Sequence, residues 1–266
     1  YDSVRGATAR LYPNLTNAVA ADPNGLTSFY NNGFTLGNSA NVNSTGTFVS
    51  WNWKAGGAPS INTDGTNSCI VSANAAAGFS IVSLSKDNTN TETFGHGLGV
   101  IPEMIILKRT VSSDDWYVYH KDLGNTTRIS LNSTAAKVTG TGVWGSTTPT
   151  SSVFTLQNQS GGAHIAYAFT SIAGYSKVGS YVGTGSAGNP QNVGFAPSFV
   201  LLKMATSTES WWVFDTDRPD KRLEPNTSDA ESNETRFTFT STGFSFTSGW
   251  SNDSGETFIY LAIKEN

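Results

Sequence analysis

The sequence predicts an all-β protein built as tandem antiparallel β-sandwich repeats, two full units preceded by a partial one. Three observations carry that prediction. Ser, Thr, Asn and 27 Gly separate short apolar runs, and charged residues are only 14% of the 266-residue chain, a composition suited to short strands joined by many turns. No long segment carries apolar residues at helical spacing. The chain also repeats itself: Ile101-Pro102-Glu103-Met104-Ile105-Ile106-Leu107-Lys108 returns as Ala196-Pro197-Ser198-Phe199-Val200-Leu201-Leu202-Lys203, and Asp115-Trp116-Tyr117-Val118-Tyr119-His120 returns as Ser210-Trp211-Trp212-Val213-Phe214-Asp215. Both are displaced by 95 residues (203 − 108 and 211 − 116).

Residues 1–58 read as the partial N-terminal repeat. Leu11-Tyr12-Pro13-Asn14 with Ala18 matches Leu223-Glu224-Pro225-Asn226 with Ala230, a displacement of 212 (223 − 11 and 230 − 18). Gly33-Phe34-Thr35-Leu36 aligns as a strand with Val153-Phe154-Thr155-Leu156 and Gly243-Phe244-Ser245-Phe246. Phe48 to Lys54 aligns as a closing strand with Ile165 to Phe169 and Phe258 to Lys264, with Val49, Trp51 and Trp53 on its core face. On this alignment Tyr1-Asp2 corresponds to Tyr119-His120 and Phe214-Asp215. The first copy then starts mid-unit and lacks the Pro and Lys strands. Half a sandwich exposes an apolar face and an unpaired edge, so residues 1–58 are predicted to complete their core against the next repeat, a neighbouring chain or a removed segment. Tyr1 in place of a start methionine reads as a fragment or processed product, in which a missing signal peptide says little.

Residues 59–78 read as an Ala/Gly/Ser/Asn-rich connection with a short strand. Cys69-Ile70-Val71 and Phe79 to Val82 form a strand pair around Ala75-Ala76-Ala77-Gly78, and the second sandwich repeat spans 61–172. Met104 to Lys108 is a continuous apolar run, as in strands covered on both faces. Along Trp116 to Tyr119, alternation places Trp116 and Val118 on one face and Tyr117 and Tyr119 on the other. The third repeat, 174–266, copies both strands and adds a hairpin at Thr235 to Phe246 around Thr242-Gly243. Lys108 and Lys203 close equivalent strands and read as snorkelling at the sheet rim or pairing with a turn carboxylate.

Several function classes are disfavoured. The net charge is −4, with no run of three Lys or Arg, so neither nucleic acid nor an anionic membrane is an expected partner. No apolar run reaches membrane-spanning length, and no membrane insertion is expected. Cys69 is the single cysteine, which excludes an internal disulfide. No catalytic residue is expected. His96, His120 and His164 all fall in the second repeat, no Ser sits in a nucleophile elbow, and Asp114-Asp115 and Asp217/Asp220 read as turn carboxylates rather than an opposed pair. No metal site is assigned; calcium stays open at the oxygen-rich loops Asp87 to Glu92 and Asn252 to Glu256.

Trp144 and Trp250 stand in Gly/Ser/Thr-rich loops without a Trp counterpart in the other repeats. An exposed indole stacks on a sugar face, which makes Trp144 and Trp250, with Asn252 and Asp253 for the hydroxyls, the candidate glycan-binding residues. The alternative is a ring tucked onto the sandwich end as a plug.

Asp2-Ser3-Val4-Arg5-Gly6-Ala7, Trp51-Asn52-Trp53-Lys54-Ala55-Gly56-Gly57, Asn62-Thr63-Asp64-Gly65, Ala77 to Val82, Gly95-His96-Gly97-Leu98-Gly99 and Trp116 to His120 together resemble a repeated domain of unknown function found in tail-fibre-like structural proteins of bacteriophages, mostly marine. The resemblance implies an external virion location, in a tail fibre or other surface appendage, beside other virion proteins. It also implies a receptor-binding role in host attachment through surface glycan or protein, and a homo-oligomer, a trimer as in phage fibres. Two alternatives remain: a structural spacer, head-decoration or tail-assembly protein without a ligand, and a capsular polysaccharide depolymerase.

Overall fold

The computed structural model describes residues 1–266 except 88, 89, 141, 248, 249 and 266, and of Trp250 its backbone alone. Among the described residues the regular structure is all strand, apart from short 3-10 turns at Ala75–Ala77 and Trp250–Asn252. The first unit carries β1 (Ala9–Arg10), β2 (Ala20–Ala21), β3 (Leu26–Tyr30) and β4 (Gly33–Leu36). The second carries β5 (Ser60–Asn62), β6 (Cys69–Asn74), β7 (Phe79–Lys86), β8 (Glu92–Gly95), β9 (Met104–Arg109), β10 (Trp116–His120), β11 (Thr127–Ser130), β12 (Val138–Thr139), β13 (Val153–Leu156) and β14 (Gly162–Phe169). The third carries β15 (Ser176–Val182), β16 (Gln191–Asn192), β17 (Phe199–Met204), β18 (Trp211–Asp215), β19 (Lys221–Arg222), β20 (Ser232–Asn233), β21 (Phe237–Thr240), β22 (Gly243–Phe246) and β23 (Thr257–Ile263).

The equated segments share topology. The eight-stranded sheet runs β12-β11-β10-β9-β14-β7-β6-β5, and its centre β10-β9-β14-β7 returns as the whole four-stranded sheet β18-β17-β23-β15. A small sheet covers each: β8 with β13, and β16-β22-β21. All pairings are antiparallel. A corner hairpin occurs three times in one register, as Ala9↔Ala21, Thr127↔Thr139 and Lys221↔Asn233. These are displaced by 118 and 212 residues (127 − 9 and 221 − 9).

Each sandwich closes over its own core, as period-2 alternation requires. In the second unit Val82, Leu84, Ile105, Leu107 and Tyr119 meet Phe94, Phe154, Leu156 and Trp144. In the third, Val200, Leu202, Trp212 and Phe214 meet Phe237, Phe244 and Phe246, with Phe214 and Phe237 stacked at 3.9 Å.

The opposite faces of the two main sheets are buried as well, in one shared core. Ile81, Ile106, Trp116, Val118 and Ile165 from the second unit join Val178, Leu201, Trp211, Val213 and Leu261 from the third, and Leu11 enters from the first. This explains why Met104–Arg109 and Phe199–Met204 read as continuous apolar runs: both faces are inside.

One sequence expectation is corrected. Phe48 to Lys54 forms no strand. The neighbours that hold β14 and β23 in their sheets are β7 and β9, or β15 and β17, and the first unit has no counterpart of either within this chain. In residues 59–78 the expected pairing of Cys69 to Val71 with the strand from Phe79 is present, and β5 adds one more strand at that edge of the main sheet.

Candidate functional site

The units meet through a seam made twice with the same atoms. Trp116 Nε1 donates to the Tyr12 carbonyl at 2.9 Å, and its counterpart Trp211 Nε1 donates to the Ser130 carbonyl at 3.0 Å. Lys108 Nζ donates to the Thr16 carbonyl at 2.9 Å, and Lys203 Nζ to the Thr134 carbonyl at 3.0 Å. The same two carbonyls take the Asp114 and Glu209 backbone N–H groups, while Val19 and Lys137 donate to the Thr110 and Ala205 carbonyls. In each case the loop that joins the two strands of a corner hairpin docks on the next unit's Lys and Trp strands.

Lys108 and Lys203 are both fully buried, which corrects the snorkelling expectation. Their second acceptors are the backbone carbonyls of Asp114 and Glu209, not side-chain carboxylates. Burial pushes the Lys203 ammonium down to about 8 and lowers Lys108 as well.

The three units close a ring through a second contact. Tyr167 of the second unit donates to Asp2 Oδ2 of the first at 2.8 Å. His120, the counterpart of Asp2, lies against the Tyr260 backbone of the third. Trp51 of the first unit donates its indole N–H to Asp215 Oδ2 of the third at 3.2 Å. Asp2 and Asp215 are each paired with an Arg three residues on, Arg5 and Arg218, so the corner itself is duplicated.

Where the first unit meets the third, an open cavity of about 320 Å³ forms, lined by Trp51, Asn52, Trp53, Phe199, Asp217 and Glu265 among others. Trp53 packs edge-on against Phe169 and Phe199 at 6.3 and 5.5 Å yet keeps 36% of its surface exposed, and Phe48 nearby keeps 50%. Arg218 lies over the Trp51 ring at 5.7 Å. Sequence alternation singled out Trp51 and Trp53 as core of a strand. Their half-exposed placement at a seam was hidden because it depends on a missing sheet neighbour.

Of the residues singled out for glycan contact, Trp144 and Asn252 are enclosed. Trp144 is 1% exposed and packs edge-on against Tyr119 at 5.7 Å. A ring so enclosed has no face for a sugar, so Trp144 is the plug of the second sandwich. The side chain of Trp250 lies outside the described residues. Asn252 is fully buried and spends its amide on the neighbouring loop: Oδ1 accepts from Thr184 N and Asn189 Nδ2, and Nδ2 donates to Thr184 Oγ1. Asp253 is exposed.

The loop read as a calcium candidate holds a cation of its own. Lys86 Nζ, almost fully buried, donates to the Asp87 and Asn90 carbonyls and lies 3.6 Å from Glu92; Asn88 and Thr89 lie outside the described residues. Among the described residues no group of three or more His, Cys, Asp and Glu could hold a metal.

The histidines are enclosed. His96 Nδ1 accepts the Leu98 N–H and Nε2 faces the Thr150 carbonyl, the arrangement of a neutral Nε2–H ring. Asp114 and Asp115 are half-buried acceptors for Tyr117 Oη and Asn132 Nδ2, rather than solvated turn residues.

A family model described as a domain of unknown function (DUF7483) matches residues 1–266. No curated protein and no solved structure matches the chain.

Proposed function

The chain belongs to the DUF7483 family, and from that premise we propose that it is a structural module of the exterior of a bacteriophage particle, in a tail fibre or comparable appendage. The carrying observation is the twice-made seam: Trp116 and Lys108 on the first unit's carbonyls, Trp211 and Lys203 on the second's. Repeat-built proteins gain stability from such interfaces between neighbours, and firm joints between units suit a part exposed on a particle's outside. The sequence resemblance to tail-fibre-like proteins supports the placement. Immuno-electron microscopy of purified particles, with antibody raised against this chain, tests it. Label on the external appendages is the expected result, and label found only in the particle-free fraction would overturn the reading.

A second reading, contact with host surface glycan, is favoured by the cavity beside Trp53. It joins a half-exposed indole to Asn52, Asp217 and Glu265, the mixture of apolar face and hydroxyl-bonding groups that sugars use. A glycan array should give binding that Trp53→Ala reduces at least tenfold. Binding indifferent to that change places the contact elsewhere, and release of reducing sugar would turn the reading toward a depolymerase.

A further inference from the structure

The corner hairpin and the loop that joins its strands occur three times, but the seam is filled twice. In the first and second units the segments Tyr12 to Val19 and Ser130 to Lys137 each engage a Lys and a Trp of the next unit. The third segment, Glu224 to Glu231, has the same local structure. Leu15, Ser133 and Thr227 donate to the carbonyl three residues back, at Tyr12, Ser130 and Glu224. Asp22, Gly140 and Glu234 donate across the hairpin to Thr8, Thr126 and Asp220. Asn132 and Asn226 each accept the backbone N–H of the Trp that opens β10 or β18. The Ser228 carbonyl is thus the counterpart of the two that receive an ammonium, and residues 228–231 are exposed.

The other half of this third seam already exists. Between the first two units the docking segment and the Asp2 corner act together, the corner meeting Tyr167 of the closing strand. Between the third and first units the corner contact is made, Asp215 to Trp51, but the strands that would bring a Lys and a Trp to Glu224 and Ser228 have no counterpart in the first unit. The same gap leaves Phe48 to Lys54 without a ladder neighbour and Phe29 and Tyr30 of the first unit's hairpin 39% and 62% exposed.

We propose that residues 48–54 and 224–231 together form a docking site for a Lys- and Trp-bearing antiparallel strand pair of the kind this chain carries at β9–β10 and β17–β18, contributed by a further unit of the same fold outside residues 1–266. The incoming strand pairs with 48–54 and turns it into the closing strand the sequence pattern describes, an instance of strand addition at an open edge. The ammonium seats on the Ser228 carbonyl and the indole on the Glu224 carbonyl. A second intact copy is not the occupant, because both of its Lys and Trp pairs are engaged within its own ring. The inference stands on the seam geometry and does not depend on where the protein resides.

The probe is a synthetic peptide of residues 101–120, fluorescently labelled and titrated into the intact chain, beside the same peptide carrying Trp116→Ala and Lys108→Ala. Saturable binding, weakened at least tenfold in the double variant, with backbone NMR shifts centred on 49–54 and 228–231, is the expected result. Equal binding of both peptides, or shifts elsewhere, overturns the proposal. Because a free strand pair can fail to fold, the same segment is also joined ahead of Tyr1 through a flexible Gly/Ser linker. The linked chain should melt at a higher temperature than one carrying a scrambled segment, and equal melting overturns the proposal. Concentration-dependent dimerisation of the unmodified chain with shifts at these residues would make a second copy the occupant and overturn it as well.

Discussion

The indole N–H of Trp211 reaches 3.0 Å across to the backbone carbonyl of Ser130, binding the third unit to the second. Both its ring and its N–H are inside, so the two contributions separate by substitution. Trp211→Phe keeps an aromatic ring and loses the donor, and should cost about 1–2 kcal/mol. Trp211→Ala also opens the shared core and should cost about 3–5 kcal/mol. Urea denaturation measures both. A Trp211→Phe protein as stable as the parent would remove the hydrogen bond from the account.

Lys203 holds carbonyls from two units, Thr134 of the second and Glu209 of the third. Lys203→Met keeps the buried stem and removes the ammonium. Relief of desolvation opposes the loss, but the Glu209 and Thr134 carbonyls lose a charged donor, and the net expectation is destabilisation of about 1–2 kcal/mol. Thermal denaturation of Lys203→Met and Lys108→Met should show losses of the same sign, since the two seams match. A gain for either would sink the equivalence.

Acid should weaken the protein before the carboxylates titrate. Burial pushes His120 from 6.5 down to about 4, and burial also lowers His96 and His164. Between pH 6.5 and 4 the unfolded chain binds protons that the folded rings refuse, so stability falls as pH falls through that window. At lower pH Glu103, held below the ordinary carboxylate range by Lys121 and Ser171 against the opposing effect of burial, adds a loss of the same sign. Urea midpoints at pH 7 and pH 5 check this, and His120→Gln should flatten the difference.

Trp144→Ala should cost about 3–5 kcal/mol, because the plug of the second sandwich leaves a cavity against Tyr119. Glycan binding, where any is found, should survive in the fraction that stays folded. Calorimetry gives the first result and the array the second.

Much of this fold is legible in the sequence because repeated motifs at one displacement report repeated strands, and alternation reports which residues share a face. Trp116 with Val118, and Tyr119 opposite, fall on the faces expected. The partner of each face is not legible. Nothing in Trp116-Tyr117-Val118-Tyr119 says that one side meets its own small sheet and the other meets a different unit. The closing-strand pattern of Phe48 to Lys54 is real, but a ladder needs a neighbour, and alternation does not report whether one exists. Trp144 shows a third limit: Gly and Ser around a ring correctly indicate a loop, but not whether the loop folds inward.

The order of parts along each unit has a consequence for how such proteins grow. In the second unit the donating side chains, Lys108 and Trp116, come first and the accepting carbonyls, Ser130 and Thr134, come later. A tandem duplication of that stretch therefore inherits both halves of the joint in working sequence. Adding one copy reuses this joint of a lysine, a tryptophan and the backbone carbonyls that accept from them, while the Trp51–Asp215 contact that closes the ring has to be remade.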